Sequence, residues 1–190
     1  MMGRVVAVVG PSGAGKDTLL AGATRAEPAL HWARRSITRP ESGGGEPFEG
    51  VSVQDFTRRR ADGEFLLHWD AHGLSYGIPT REFSGLADGR DVLFNGSRAA
   101  LAAAQTIFPD ILVVRITVPS RVLAARLAAR GRETPEEIET RLARAAYDLP
   151  AGLTVIDVAN DATPEVGVAR LLAAIRKYRA VPLDRNQAHA

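Results

Sequence analysis

The chain of 190 residues has no cysteine. This excludes disulfides and any thiolate metal centre, and it is compatible with a reducing cytosol. Lysine is nearly absent as well: only Lys16 and Lys177 occur, and the remaining basic residues are arginine. Arginine's planar fork suits bidentate phosphate contacts, although such a bias also follows from genomic base composition. The formal net charge is only +2, so the chain as a whole carries no nucleic-acid signature. No run is long and apolar enough to span a membrane, and the apolar part of "MMGRVVAVVG" is too short for a signal peptide. No Ser-His-Asp set and no obvious pair of catalytic carboxylates stands out. The expectation is a cytoplasmic protein acting on small molecules, with no nucleic-acid or membrane partner; the pattern sets no oligomeric state.

Charged residues at 24% and hydrophobic residues at 45% are ordinary globular values. The length fits one domain, about 1–180, with a frayed tail at 181–190. "RVVAVVG" reads as a buried strand feeding a turn, and "KDTLLAGATRA" as a helix. "HWARRSITRP" reads as one short strand entering the glycine-marked loop "PESGGGEPFEG". A short helix over "SVQDFTRRRADG" and a strand over "EFLLHWDAHG" follow, and then "SYGIP" turns into the helix "PTREFSGLADG". "DVLFNG" and "DILVVRITV" are buried strands separated by the helix "SRAALAAAQTIF". Two helices come next, "PSRVLAARLAARG" and "TPEEIETRLARAAYDL". The second opens on Thr134 as cap, Pro135 and Glu137. "GLTVIDV" is the last strand, and "TPEVGVARLLAAIRKY" the last helix, with Leu171, Leu172 and Ile175 facing inward. Apolar strands alternating with helices predict an α/β fold with a central parallel sheet, whose ligands bind at the carboxyl edge.

At that edge stands "GPSGAGKDTLL". Gly10, Pro11, Ser12, Gly13, Ala14, Gly15 and Lys16 match the phosphate-binding loop G-x-x-x-x-G-K, between a buried strand and a helix. Backbone N–H groups curl around a phosphate there, the helix adds its positive end, and Lys16 reaches the β- and γ-phosphates of ATP. The next position, normally a hydroxyl for Mg²⁺, is Asp17. A carboxylate in a first helical turn is favoured by the helix dipole. The other reading is a Mg²⁺ ligand, directly or through water, which would explain an anion beside a polyphosphate. Thr18 is then left to donate to the α-phosphate.

Several further segments are similar in order to the guanylate kinase-like branch of P-loop kinases: "TRP" at 38–40, "GE" at 45–46, "YGIP" at 76–79 and "RGRETPEEIETRLARA". The resemblance runs from about Arg4 to Tyr178. It implies a P-loop kinase fold with an acceptor-binding insertion, about 35–80, and a helical lid, about 126–146. The departures are coordinated. The second arginine expected after "TRP" falls on Ser42 or Gly43. The guanine-reading glutamate falls on Leu67, and the aspartates of the "DVLFNGSR" strand fall on Asn95 and Ser97. Leucine cannot accept hydrogen bonds from guanine, so GMP is disfavoured as acceptor.

"GPSGAGKD", "RRSITRP", "WDAHGLSYGIP", "NGSR" and "RLARAA" together resemble the ribose 1,5-bisphosphate phosphokinases. That resemblance implies ATP- and Mg²⁺-dependent formation of 5-phosphoribosyl 1-diphosphate during alkylphosphonate degradation. The other readings are a guanylate or other nucleoside monophosphate kinase, and a non-catalytic guanylate kinase-like interaction module. An acceptor bearing two phosphates calls for a cationic pocket, for which Arg39 and Arg98 are the first candidates. Tyr76 and Gly77 shape that pocket. His72 reads as either a pocket or a structural residue. Arg35 reads as an acceptor contact or as a strand residue facing solvent or an acid. Arg130 and Arg141 match the lid positions that close over the transferred phosphoryl group, with Gly131 as hinge. Arg126 and Arg144 read as a solvated face, and Trp69 as core.

Overall fold

The structure, a computed structural model, describes residues 2–41, 46–131, 134, 136 and 149–180. Five strands form the parallel sheet: β1 (Val5–Val9), β2 (Leu30–Trp32), β7 (Asp91–Asn95), β8 (Leu112–Thr117) and β9 (Thr154–Ala159), in the order β2-β7-β1-β8-β9. Alternation along β1 divides the core between the two faces of this sheet. Val6 and Val8 pack on helices α1 (Lys16–Ala26) and α5 (Pro164–Arg179) through Leu19, Leu20, Leu171, Leu172 and Ile175. Val5, Ala7 and Val9 belong to the other face, with Phe94, Leu101 of α3 (Arg98–Ile107) and Phe83 of the 3-10 helix Thr80–Leu86. Helix α4 (Ser120–Arg130) follows β8. α5 starts at Thr163, whose side chain accepts from the Val166 N–H, with Pro164 in the first turn.

Both termini of this domain are tied at the amino edge of the sheet. Asp91 Oδ1 accepts the Arg4 N–H at 2.9 Å, and Asp91 Oδ2 accepts from Arg179 Nε at 2.6 Å. The Arg4 guanidinium donates to the Tyr178 carbonyl and lies 4.6 Å from the Tyr178 ring centroid.

The inserted segment builds a second sheet, β4-β3-β6-β5, from β3 (Arg35–Ile37), β4 (Phe48–Gly50), β5 (Phe65–Ala71) and β6 (Leu74–Pro79). Four local readings are corrected here, the first being that the segment read as the loop "PESGGGEPFEG" ends in strand β4, paired with β3. The stretch taken as one strand breaks at Ala33–Arg34: Trp32 pairs with Leu93 in the central sheet, whereas Arg35 pairs with Phe48 in the second. Residues 74–79 form a full strand antiparallel to β5. The helix expected after Pro79 is a 3-10 helix. The "TPEEIETRLARAAYDL" helix lies outside the described residues apart from Thr134 and Glu136, as does the tail at 181–190.

Helix α2 (Val53–Ala61) packs against this sheet through Phe56, which stacks on Phe65 with ring centroids 4.7 Å apart. Its Arg59 is buried and donates to Glu49 at 3.0 Å and Glu64 at 2.8 Å. Burial alone would raise the Glu49 pKa, but hydrogen bonds from Ser36 and Arg59 outweigh it and hold the carboxyl below its ordinary range. The folded pKa therefore lies under the unfolded one. The associated stability is present above the ordinary glutamate range and is lost as pH falls through the folded value. Glu49→Gln is expected to flatten the loss of stability between about pH 7 and pH 3. Urea unfolding at both pH values reads this out, and an unchanged pH slope would show that Glu49 contributes nothing to it.

Candidate active site

The P-loop links β1 to α1, with Gly15 as a left-handed cap at φ 85° and Gly13 at φ 88°. Side chains are excluded at both positions. A methyl group at Gly13 would lie 2.9 Å from Leu123 Cδ1, so α4 is seated directly on the loop. One at Gly15 would lie 2.6 Å from Asn160 Nδ2 and 4.0 Å from Arg126 Nη1. Asn160, at the end of β9 and buried, donates at 2.7 Å to the Ala14 carbonyl and so holds the loop from the side. Lys16 Nζ donates to the carbonyls of Gly10 at 2.8 Å and Pro11 at 3.1 Å, which folds the cation over the loop. Ser12 and Thr18 are exposed, and Ala14 is buried.

Asp17 Oδ1 accepts from Asn95 Nδ2 at 2.7 Å. Asn95 is itself buried at the carboxyl end of β7, and its Nδ2 also stands 3.4 Å from Glu46 Oε2. Glu46 in turn binds Arg35 with both oxygens, one of them at 2.6 Å from Nε. The Arg35 guanidinium carbon lies 5.1 Å from the Tyr76 ring centroid and 5.9 Å from that of Trp69, and these two rings stack on each other at 5.4 Å. Arg35 is thus buried and paired with an acid, closing the solvent-facing alternative.

The remaining candidates are spread over neighbouring elements. Arg98 is the first residue of α3, directly after the loop that follows β7. Arg39 is exposed beyond β3, with its guanidinium carbon 4.3 Å from the Phe48 ring centroid. Tyr76 lies half-buried on β6. Gly77 is buried beside it, where a methyl group would lie 2.6 Å from Phe65 Cδ1. His72 occupies the exposed β5–β6 turn with φ 54°, next to Gly73 at φ 73°, a left-handed pair suited to a tight hairpin. Arg130 ends α4 and Gly131 caps it at φ 61°. The Arg130 side chain, Arg141 and Arg144 lie outside the described residues. Leu67 is 1% exposed within the apolar core, as is Trp69 at 6%.

Two residues at the loop were not read as functional from sequence. Asn160 carries one usable signal, an amide just past the last strand on the ligand-binding edge. Arg126 corrects the solvated-face reading. Its Nη1 is buried and has no hydrogen-bond partner among the described residues, and it stands beside Gly15. A buried guanidinium nitrogen with an open donor next to a glycine cradle suits a polyphosphate. Asp17 suits a magnesium ion whose other ligands are phosphate oxygens and water, because Mg²⁺ is commonly held by one or two carboxylates plus substrate phosphates. Among the described residues no cluster of three or more histidine, aspartate or glutamate side chains could bind a metal independently of nucleotide.

No family model matches the chain. It is 47% identical over 180 residues to the ribose 1,5-bisphosphate phosphokinase PhnN of Ruegeria sp., covering 94% of each chain. It is 48% identical to the enzyme of the same name from Acidiphilium cryptum, covering 95% of this chain and 96% of the relative. A third relative, the bifunctional ribose 1,5-bisphosphokinase-thymidine phosphorylase of Azorhizobium caulinodans, is 48% identical over 171 residues. The chain spans about a quarter of the length of that bifunctional protein and comparable shares of others like it. Among solved structures, guanylate kinase from Anaplasma phagocytophilum superposes with a TM-score of 0.66 at 18% identity, over 95% of this chain and 88% of the other. A gluconokinase from Sinorhizobium meliloti superposes with a TM-score of 0.53 at 17% identity, over 92% of each chain. At these identities the structural likenesses establish the P-loop kinase fold.

Proposed function

The chain belongs to the ribose 1,5-bisphosphate phosphokinase family, and from that premise we propose that it phosphorylates ribose 1,5-bisphosphate with ATP. The products are ADP and 5-phosphoribosyl 1-diphosphate, an activated sugar formed in alkylphosphonate breakdown in the cytoplasm. The observation that carries the reading is the joint occurrence of an intact P-loop and a buried Leu67. A glycine-built loop leading into a helix that starts at Lys16 supports ATP binding, while Leu67, which the resemblance places at the guanine-reading position, lies in the apolar core.

The attacking atom is an oxygen of the anomeric phosphate, already anionic, so no general base has to remove a proton. That oxygen forms a bond to the γ-phosphorus as the bond from γ-phosphorus to the β,γ-bridging oxygen breaks. The released electron pair leaves on ADP. The chain's part is to hold anionic groups in line and offset their charge. Loop N–H groups and Lys16 grip the ATP phosphates, and Arg126 donates beside them. Bound Mg²⁺, held through Asp17, supplies charge neutralisation across the phosphates. Arg39, Arg98 and Tyr76 bind the acceptor, with Gly77 and His72 shaping its sheet. Arg130 and Arg141 close over the transferred group.

A coupled ADP-release assay with ATP-Mg²⁺ tests the reading by comparing ribose 1,5-bisphosphate with GMP. GMP is expected to turn over about 100-fold more slowly or worse, because the base-edge hydrogen bonds have no acceptor at Leu67. Faster turnover of GMP, or none of either, overturns the proposal.

A further inference from the structure

Asn95 is 6% exposed and contacts two carboxylates from different parts of the fold, Asp17 of the nucleotide loop and Glu46 of the inserted segment. A carboxamide NH₂ has two hydrogens, one for each acid. Its orientation follows from the neighbours, since a carbonyl oxygen turned toward two carboxylates would be repelled. No other hydrogen bond to the Asp17 carboxylate is present among the described residues. Asn95 therefore fixes one oxygen of Asp17 and leaves the other for a cation. Glu46 is secured by the Arg35 fork, so the amide is itself anchored from the second sheet.

We infer that Asn95 is a positioning residue that aims the Asp17 carboxylate at the nucleotide-bound metal ion. The inference rests on the proposed ATP- and metal-dependent transfer. It also accounts for a neutral side chain at 95: an aspartate there would put a third carboxylate against Asp17 and Glu46, with no donor between them. Groups that orient a metal-ligating side chain typically control metal affinity by tenfold or more.

The test is Mn²⁺ binding to the full chain with ADP, followed by the electron paramagnetic resonance signal of free Mn²⁺. Asn95→Ala is expected to raise the Mn²⁺ concentration at half-saturation about tenfold, with metal-free ADP affinity kept within about twofold. Asn95→Leu, which preserves volume but has no donor, is expected to give the same shift and stands in where the alanine variant does not fold. Asp17→Ala is expected to weaken Mn²⁺ at least as much, and adding Asn95→Ala to it to weaken binding no further. Half-saturation within about twofold of wild type in both Asn95 variants, or effects that multiply in the double variant, overturns the inference alone. A wild-type protein whose ADP complex takes up no Mn²⁺, and which releases no ADP with ribose 1,5-bisphosphate, overturns the proposed function and the inference with it.

Discussion

Lys16→Ala is expected to lower kcat by on the order of 100- to 1,000-fold, the scale on which removal of one preorganised charge-stabilising donor acts. The lysine sits at the first position of α1, and its ammonium group bonds loop carbonyls. It has no part in either apolar core, which is built from Leu19, Leu20 and their partners. Stability should therefore stay within about 0.5 kcal/mol of wild type, as for substitutions away from the core. Steady-state kinetics and a urea melt on the same preparation read both quantities. Activity within a few-fold of wild type would mean that this loop does not bear the transferring phosphates.

The largest effect on stability is expected at the Arg35–Glu46 pair. Both side chains are over nine-tenths buried, and the guanidinium is enclosed by Glu46 and by the rings of Tyr76 and Trp69. Glu46→Ala leaves that cation without its counter-ion in a place water reaches poorly. Breaking a buried pair in this way costs about 3–5 kcal/mol. For a chain of this size that corresponds to a fall in Tm of roughly 10 °C. Replacing both partners, Arg35→Met with Glu46→Leu, is expected to recover most of the loss, because a buried pair and an apolar pair of similar volume differ little in net free energy. Thermal melts of the single and double variants decide this. A single variant losing less than about 1 kcal/mol would show that the pair is better solvated than its burial implies.

The central sheet was legible because burial on both faces leaves a mark in the sequence. Val5–Val9 is an unbroken apolar run, and all five residues are buried. The P-loop was legible because its backbone geometry demands particular residues, glycine at the left-handed positions 13 and 15. The second sheet was less so. No turn residue marks the break in "HWARRSI", which is set by whichever partner captures each half, Leu93 for Trp32 and Phe48 for Arg35. β4 has three residues beside a glycine-rich loop, too few for a periodic signal, and is defined by its pairing alone. Arg126 was hidden by helical periodicity, which groups it with Arg130 on a polar face. The packing of Leu123 and Leu127 against Gly13 turns that part of α4 toward the loop instead. Asp17 was conspicuous in sequence, but its partner Asn95 lies 78 residues away and only the parallel pairing of β1 with β7 brings them together.

The Arg4–Asp91–Arg179 clamp has a practical meaning for anything joined to this domain. It holds the first strand and the last helix at the amino edge, whereas the phosphate loop leaves the opposite edge, one strand length or about 16 Å away. A label, a tether or a second catalytic unit attached near either joint starts from the pole remote from the nucleotide. Such an addition joins the domain away from the phosphate loop.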